Sequence, residues 1–139
     1  MLETRDGYTI TDSRDNIDWL FIIRSLQSTY WAEGRPEELI RKSFDNSVVL
    51  SLFHGTDQVG FARIVSDYAC FAWLCDVYIS PDHRGRGLGK FLMSAVAGHE
   101  STQVRMTILA TKDAHGLYAK YGFERREMMF LKKEYDTLL

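Results

Sequence analysis

The segment from Pro81 to Lys90 (PDHRGRGLGK) limits the folds open to this chain more than any other. Phe71 to Ser80 (FAWLCDVYIS) runs into it as a nearly continuous apolar stretch, which reads as a central strand buried on both faces. Beyond it, Leu88, Phe91, Leu92, Ala95 and Val96 recur at helical spacing, predicting an amphipathic helix that stops near Gly98. A strand therefore enters a glycine-rich loop and a helix leaves it. That context lets successive backbone N–H groups approach a phosphate, and the helix N-terminus adds roughly half a positive charge. Arg84, Arg86 and Lys90 supply further cations around Gly85, Gly87 and Gly89. A merely tight turn needs neither the repeated glycines nor the cations.

Two familiar nucleotide loops do not fit. A P-loop requires Ser or Thr after Gly-Lys, and here Phe91 follows Lys90 while Arg84 holds the place of the earlier glycine. The dinucleotide fingerprint requires a longer second interval than Gly85, Gly87 and Gly89 provide, and it follows an opening strand rather than a meander.

Upstream, Tyr8 to Thr11 alternates as a short strand, and Asp15 is placed to cap a helix carrying Ile17, Leu20, Phe21, Ile23, Leu26 and Tyr30. Pro36 suits the first turn of a second helix with Leu39, Ile40 and Phe44. Ser47–His54 and Gln58–Val65 read as strands joined to 71–80 by short turns, hence an antiparallel meander. Downstream, Val104 to Ala110 is a strand that completes a crossover unit. Thr111 or Asp113 caps a last helix with Leu117, Tyr118 and Tyr121, closed by Gly122, and Met128 to Lys133 finishes as a strand. The fold class is α/β (α+β): a mixed, mostly antiparallel sheet flanked by helices, in one domain over residues 1–139.

Composition narrows the partners. A net charge of −2 with no basic tail or stripe argues against nucleic acid. No run of about 18 apolar residues suggests a membrane span, and the N-terminus lacks the apolar core of a signal peptide. Cys70 and Cys75, placed in one strand-like run, face opposite ways and are expected to be free thiols of a reducing cytoplasm. No set of His, Cys or acidic residues has metal-ligand spacing. The expected state is a cytoplasmic monomer or homodimer.

Arg84-x-x-Gly87-x-Gly89, after a strand ending Asp76-Val77-Tyr78-Ile79, resembles the acyl-CoA pyrophosphate motif of the GNAT superfamily of N-acetyltransferases. Ala114 to Phe123 (AHGLYAKYGF) resembles the second signature of that family. The two together cover about residues 47–125. The resemblance implies a GNAT-like acyl-CoA N-acyltransferase fold and acetyl-CoA as cosubstrate. It implies that Arg84, Gly85, Arg86, Gly87, Leu88, Gly89 and Lys90 hold the pyrophosphate. It places the pantetheine arm along Val77, Tyr78 and Ile79, beside a strand that splays away, where a free amide polarises the thioester carbonyl. Tyr118 matches the proton donor to the leaving thiolate, and His115 lies near enough in sequence to touch the cofactor. Thr111 stands where family members often have asparagine.

The acceptor side is read from less. Asp76 is an acid in an apolar strand, where burial raises the pKa and suits a general base. Tyr30 and Glu33 fall in the helix-to-helix region that borders the acceptor pocket of the family. The expected function is transfer of an acetyl group from acetyl-CoA to a primary amine of a small molecule. Two alternatives stand beside it: a catalytically idle acyl-CoA-binding regulator, and a protein or peptide lysine acetyltransferase.

Overall fold

Asp6 and Gly7, both at positive φ (51° and 84°), turn the chain tightly between β1 (Glu3–Arg5) and β2 (Tyr8–Thr11). Consecutive positive φ values suit the right-handed twist of a two-residue hairpin. The computed structural model describes residues 2–111 and 114–138. Along the chain come α1 (Trp19–Gln27), α2 (Glu37–Asp45), β3 (Val48–His54), β4 (Asp57–Ser66), β5 (Phe71–Ile79), α3 (Leu88–Gly98), β6 (Met106–Leu109) and α4 (His115–Ala119). The strands form one sheet in the order β1-β2-β3-β4-β5-β6. Every pairing is antiparallel except β5 with β6, which are parallel, as the intervening α3 requires.

Each face of the sheet is covered by helix. On one, Leu50, Leu52, Ala62, Ile64 and Leu74 meet Leu92 and Val96 of α3, with Leu117 and Tyr118 packed at the margin. On the other, Val49 and Phe61 meet Ile22 and Leu26 of α1 and Ile40 and Phe44 of α2. Phe44 and Phe61 are fully buried with ring centroids 5.8 Å apart. Burial of each such side chain stabilises the fold by about 1.5–3 kcal/mol.

A bulge interrupts the ladder between β4 and β5. Arg63 pairs with Asp76 but Ile64 pairs with Leu74, so Cys75 is an extra residue on β5. Before the bulge, Ala72 and Leu74 belong to the α3 face; after it, Val77 and Ile79 do, while Tyr78 joins the α1–α2 core. The strand changes phase by one residue. β6 accompanies β5 only from Phe71 to Leu74, and its pairing ends at Leu74 with Leu109.

Four expectations change. Asp18 rather than Asp15 caps α1, its carboxylate accepting from the Phe21 N–H at 3.0 Å. Asn16, at φ 65°, stands in the left-handed region and breaks any helix begun earlier. α1 also ends at Gln27, leaving Tyr30 in the following loop. Cys70 precedes β5 and is exposed; both cysteines are free.

The terminal strand over Met128–Lys133 does not form: residues 123–134 carry no regular secondary structure, and Met129 and Leu131 are 99% and 90% exposed. Charged residues from Glu124 to Glu127 and from Lys132 to Glu134 flank a short apolar run. Without alternate side chains to bury, ladder bonds do not offset the entropy of ordering. No helix among the described residues is long and apolar enough to cross a membrane.

Candidate active site

After β5 the chain makes a short 3-10 turn over Pro81–His83 and enters the glycine loop. Gly85 and Gly87 have φ of 81° and 74°, and Gly87 is the N-cap of α3. A side chain at Gly85 meets nothing within 4 Å, and at Gly87 only the Arg5 guanidinium at 3.8 Å. Backbone conformation, rather than crowding, therefore demands glycine, since a left-handed residue with a Cβ costs about 1–2 kcal/mol. No side chain caps α3, so its first-turn N–H groups face outward beside the loop amides. That is the donor set an anionic phosphate requires. Replacing Gly87 with Ala is expected to weaken binding of a phosphate-bearing ligand about tenfold, measured by calorimetry with acetyl-CoA, the cosubstrate that the resemblance implies, because the cradle relaxes from its left-handed turn.

The expected cations divide by role. The Arg84 side chain turns back: Nε donates to the Ile79 carbonyl at 2.9 Å and the guanidinium lies over the Tyr78 ring. Arg86 stays exposed at the loop and donates to the Tyr8 hydroxyl at 3.3 Å, which is in turn 2.8 Å from His83 Nδ1. Lys90 is exposed on the first turn of α3, and its carbonyl accepts from the Tyr121 hydroxyl at 2.9 Å. Arg5, which the sequence did not single out, donates to the Gly87 carbonyl at 3.2 Å and stacks over Phe91. The β1–β2 hairpin thus braces the loop. Leu88 and Gly89 contribute backbone only: Leu88 is buried in the α3 core, and a Cβ added at Gly89 would stand 4.0 Å from the Leu117 side chain.

The β5 edge beyond the loop has a definite polarity. The Ser80 N–H donates to the Val59 carbonyl on the β4 side. By strand alternation Val77 and Ile79 direct their peptide groups to the opposite edge. There β6 has already ended, so among the described residues no strand pairs with β5 past Leu74. Arg84 takes up the Ile79 carbonyl, which leaves Val77 the better placed of the two for an extended ligand. Tyr78 does not belong to this edge. Its peptide faces β4, and its ring stacks on Phe61 at 5.7 Å within the α1–α2 core.

Tyr118 lies on α4, half-buried, with its ring 6.1 Å from Phe123 and packed against the α3 core. His115, at the start of the same helix, is exposed. Thr111 Oγ1 accepts from the Ala114 N–H at 3.1 Å and so helps to start this helix, whereas Asp113 lies outside the described residues.

Asp76 departs from expectation. The bulge turns its carboxylate, 1% exposed, onto the α1–α2 side. There Arg63 Nε donates to Oδ2 at 2.8 Å, and Arg35 donates to both oxygens at 3.1 and 3.4 Å. The Trp31 indole N–H adds a bond to Oδ1 at 3.2 Å. Burial alone pushes the carboxyl upward, but the Arg63 and Arg35 charges and their hydrogen bonds outweigh it. Asp76 is held below the usual carboxylate range. The upward shift expected for a general base is therefore overturned: a carboxylate already claimed by two guanidiniums has little proton affinity. The same carboxylate offsets the desolvation of Arg35 and keeps that guanidinium above its ordinary value.

Tyr30 and Trp31 form an exposed aromatic pair, 5.2 Å between centroids, at the mouth of this cluster. Glu33 is exposed nearby and takes no part in the Asp76 bonds. Arg35, Arg63 and Trp31 were the residues missed. A usable clue was present, because Arg63 and Asp76 are lone opposite charges in adjacent apolar strands. One constellation invites a wrong reading: Ser101, His99 and Asp12 line up through bonds of 2.8 and 3.0 Å. Ser101 is fully buried, so the trio is a strap from the end of α3 to the end of β2 rather than a nucleophile.

A sheet split between parallel strands above a glycine-rich, uncapped helix start defines an acyltransferase-type site. Residues 45–125 match the family described as the acetyltransferase (GNAT) domain. The chain belongs to the GNAT acetyltransferase family. It is 31% identical over 129 residues to the uncharacterized N-acetyltransferase ycf52 of Pyropia yezoensis, covering 88% of this chain and 72% of that one. A crystal structure from Xanthomonas campestris, assigned to the same family as an acetyltransferase, superposes with a TM-score of 0.86 at 40% identity, covering 92% and 94%. A GNAT acetyltransferase from Elizabethkingia anophelis, solved with acetyl-CoA bound, shares the fold at 14% identity and a TM-score of 0.66, covering 88% and 80%.

Proposed function

We propose that this acetyltransferase takes its acetyl group from acetyl-CoA and transfers it to the primary amine of a small molecule by direct attack. One observation supports this above the others. The uncapped N–H groups around Gly85 and Gly87 lead to the open peptide edge at Val77, beyond the Ile79 carbonyl that Arg84 occupies. An anion cradle continuous with an unpaired strand edge suits a diphosphate carrying an amide-bearing arm.

In this reading Arg86, Lys90 and the loop amides hold the pyrophosphate, and the Val77 N–H steadies the thioester oxygen as negative charge develops. The free amine attacks the carbonyl carbon, the N–C bond forms and the C–S bond breaks. Tyr118 gives its phenolic proton to the departing sulfur, and the proton released by the nitrogen returns to Tyr118 through solvent. Tyr30 and Trp31 border the approach of the amine. Asp76 acts as a positioning residue that pins the loop after α1 to β5 through Trp31 and Arg35.

The direct test measures free thiol released from acetyl-CoA across alkyl amines, aryl-alkyl amines, amino acids and lysine peptides. Amine-dependent release with a small acceptor is expected. Acetyl-CoA binding with no release for any acceptor would favour the idle regulator, and release with peptides alone would favour a protein acetyltransferase.

A further inference from the structure

Between α2 and the tail turn over Tyr135–Leu138 lies a cavity of about 350 Å³. Arg35, Arg63 and Lys42 line it, while Leu39, Tyr135 and Leu138 supply its apolar part. No carboxylate lies in its described lining. Among the described residues, the acidic group bound to its cations from behind is Asp76, which accepts from both arginines. Three cationic side chains thus stand against one carboxylate at the wall of a partly apolar cavity. Each guanidinium also carries more N–H donors than its bonds to Asp76, to the Tyr135 hydroxyl from Arg35 and to Ser47 from Arg63 consume.

We infer that this cavity receives a carboxylate of the acceptor, so that the preferred substrates are amino acids whose amine and carboxylate lie several bonds apart. The inference rests on the acetyl-transfer reading above and names its acceptor class. Its geometric support is proximity. The arginines grip Asp76 at 2.8 and 3.1 Å, and Asp76 is the residue before Val77, whose peptide edge faces the proposed thioester site. On this inference, a molecule with its carboxylate on Arg35 and Lys42 must extend its other end toward that edge. Arg35 is pre-oriented by its two bonds to Asp76, so a planar anion meets a guanidinium already held in place.

The test pairs 6-aminohexanoate with its methyl ester as acceptors for the full chain. The acid is expected to show a kcat/KM at least about tenfold above the ester, the size of a charge-assisted hydrogen bond. Lys42 is exposed and outside the Asp76 cluster, so Lys42→Gln is expected to fold normally. It should raise KM several-fold for the acid, leave the ester unchanged and leave acetyl-CoA binding unaltered. Arg35→Lys is expected to act in the same direction more strongly, because a point charge loses the planar fork.

A second arm needs no turnover. Butanoate, a carboxylate without an amine, is titrated while the Trp31 indole N–H resonance is followed by NMR. Saturable movement that Lys42→Gln weakens supports the carboxylate site even if no amine is acetylated, in which case the acetyl-transfer reading alone fails. Equal turnover of acid and ester with an unmoved Trp31 resonance overturns the carboxylate site and leaves acetyl transfer standing.

Discussion

Tyr118→Phe is expected to lower kcat by about 10²–10³ while the acetyl-CoA dissociation constant stays within twofold of the parent. The ring lies against the α3 core and 6.1 Å from Phe123, and phenylalanine preserves that packing. Only the hydroxyl is lost. If the hydroxyl protonates the leaving thiolate, its removal makes the C–S cleavage expel a bare anion. The loss should then shrink for thioesters of more acidic thiols, which leave without help. Pre-steady-state thiol release with acetyl-CoA and an activated acetyl thioester provides the comparison. Equal losses for both donors would assign the Tyr118 hydroxyl to positioning rather than proton transfer, and an unchanged kcat would remove it from the reaction.

Asp76→Ala carries the second large effect, on stability. The substitution leaves the Arg35 and Arg63 guanidiniums, 16% and 13% exposed, without their shared counter-charge and strips the Trp31 indole of its acceptor. Breaking a buried pair in this way costs about 3–5 kcal/mol, and the residual exposure of the arginines places the expectation near the lower end. Thermal unfolding followed by circular dichroism should show a fall in Tm of about 10 °C.

The sign of the pH dependence is set by the direction of the shift. Asp76 sits below its ordinary value of 3.8 when folded, so its contribution is fully present above that pH and disappears as pH falls toward the folded value. The stability gap between the parent protein and Asp76→Asn should therefore be constant from pH 8 to 5 and close below about pH 4. A gap that instead widened in acid would mean that the carboxyl is protonated in the folded protein.

What the sequence disclosed depended on how local the cause was. The loop from Arg84 to Lys90 and the helix after it were legible, because positive φ and helical periodicity are written in neighbouring residues. The meander was legible for the same reason, through short turns such as that at Gly55. Asp6-Gly7 also marked a hairpin, yet β1 was missed because Glu3, Thr4 and Arg5 are polar and exposed, a strand held by backbone pairing alone. The Asp76 cluster was opaque for the opposite reason. Its partners are 13, 41 and 45 residues away, and an isolated acid in an apolar strand reads as a shifted base until those cations are in place. The apolar run at Met128–Leu131 misled because hydrophobicity proposes a strand, whereas an edge with something to bury makes one.

The extra residue at Cys75 has a consequence for how such a chain tolerates change. Upstream of it β5 is in step with its neighbours, and downstream it is out of step by one. The offset sets which of two adjacent residues serves which side: Asp76 braces the side where an acceptor is proposed to enter, and Val77 faces the side where the acyl donor is proposed to lie. Deleting one residue there would not merely shorten the strand. It would restore unbroken alternation, with Asp76 following Leu74 and keeping its side of the sheet, and would remove the local bend that a bulge imposes on its strand. Substitutions at position 75 should accordingly be absorbed more readily than its loss, because what that position supplies is an extra residue, and with it the bend, rather than a particular side chain.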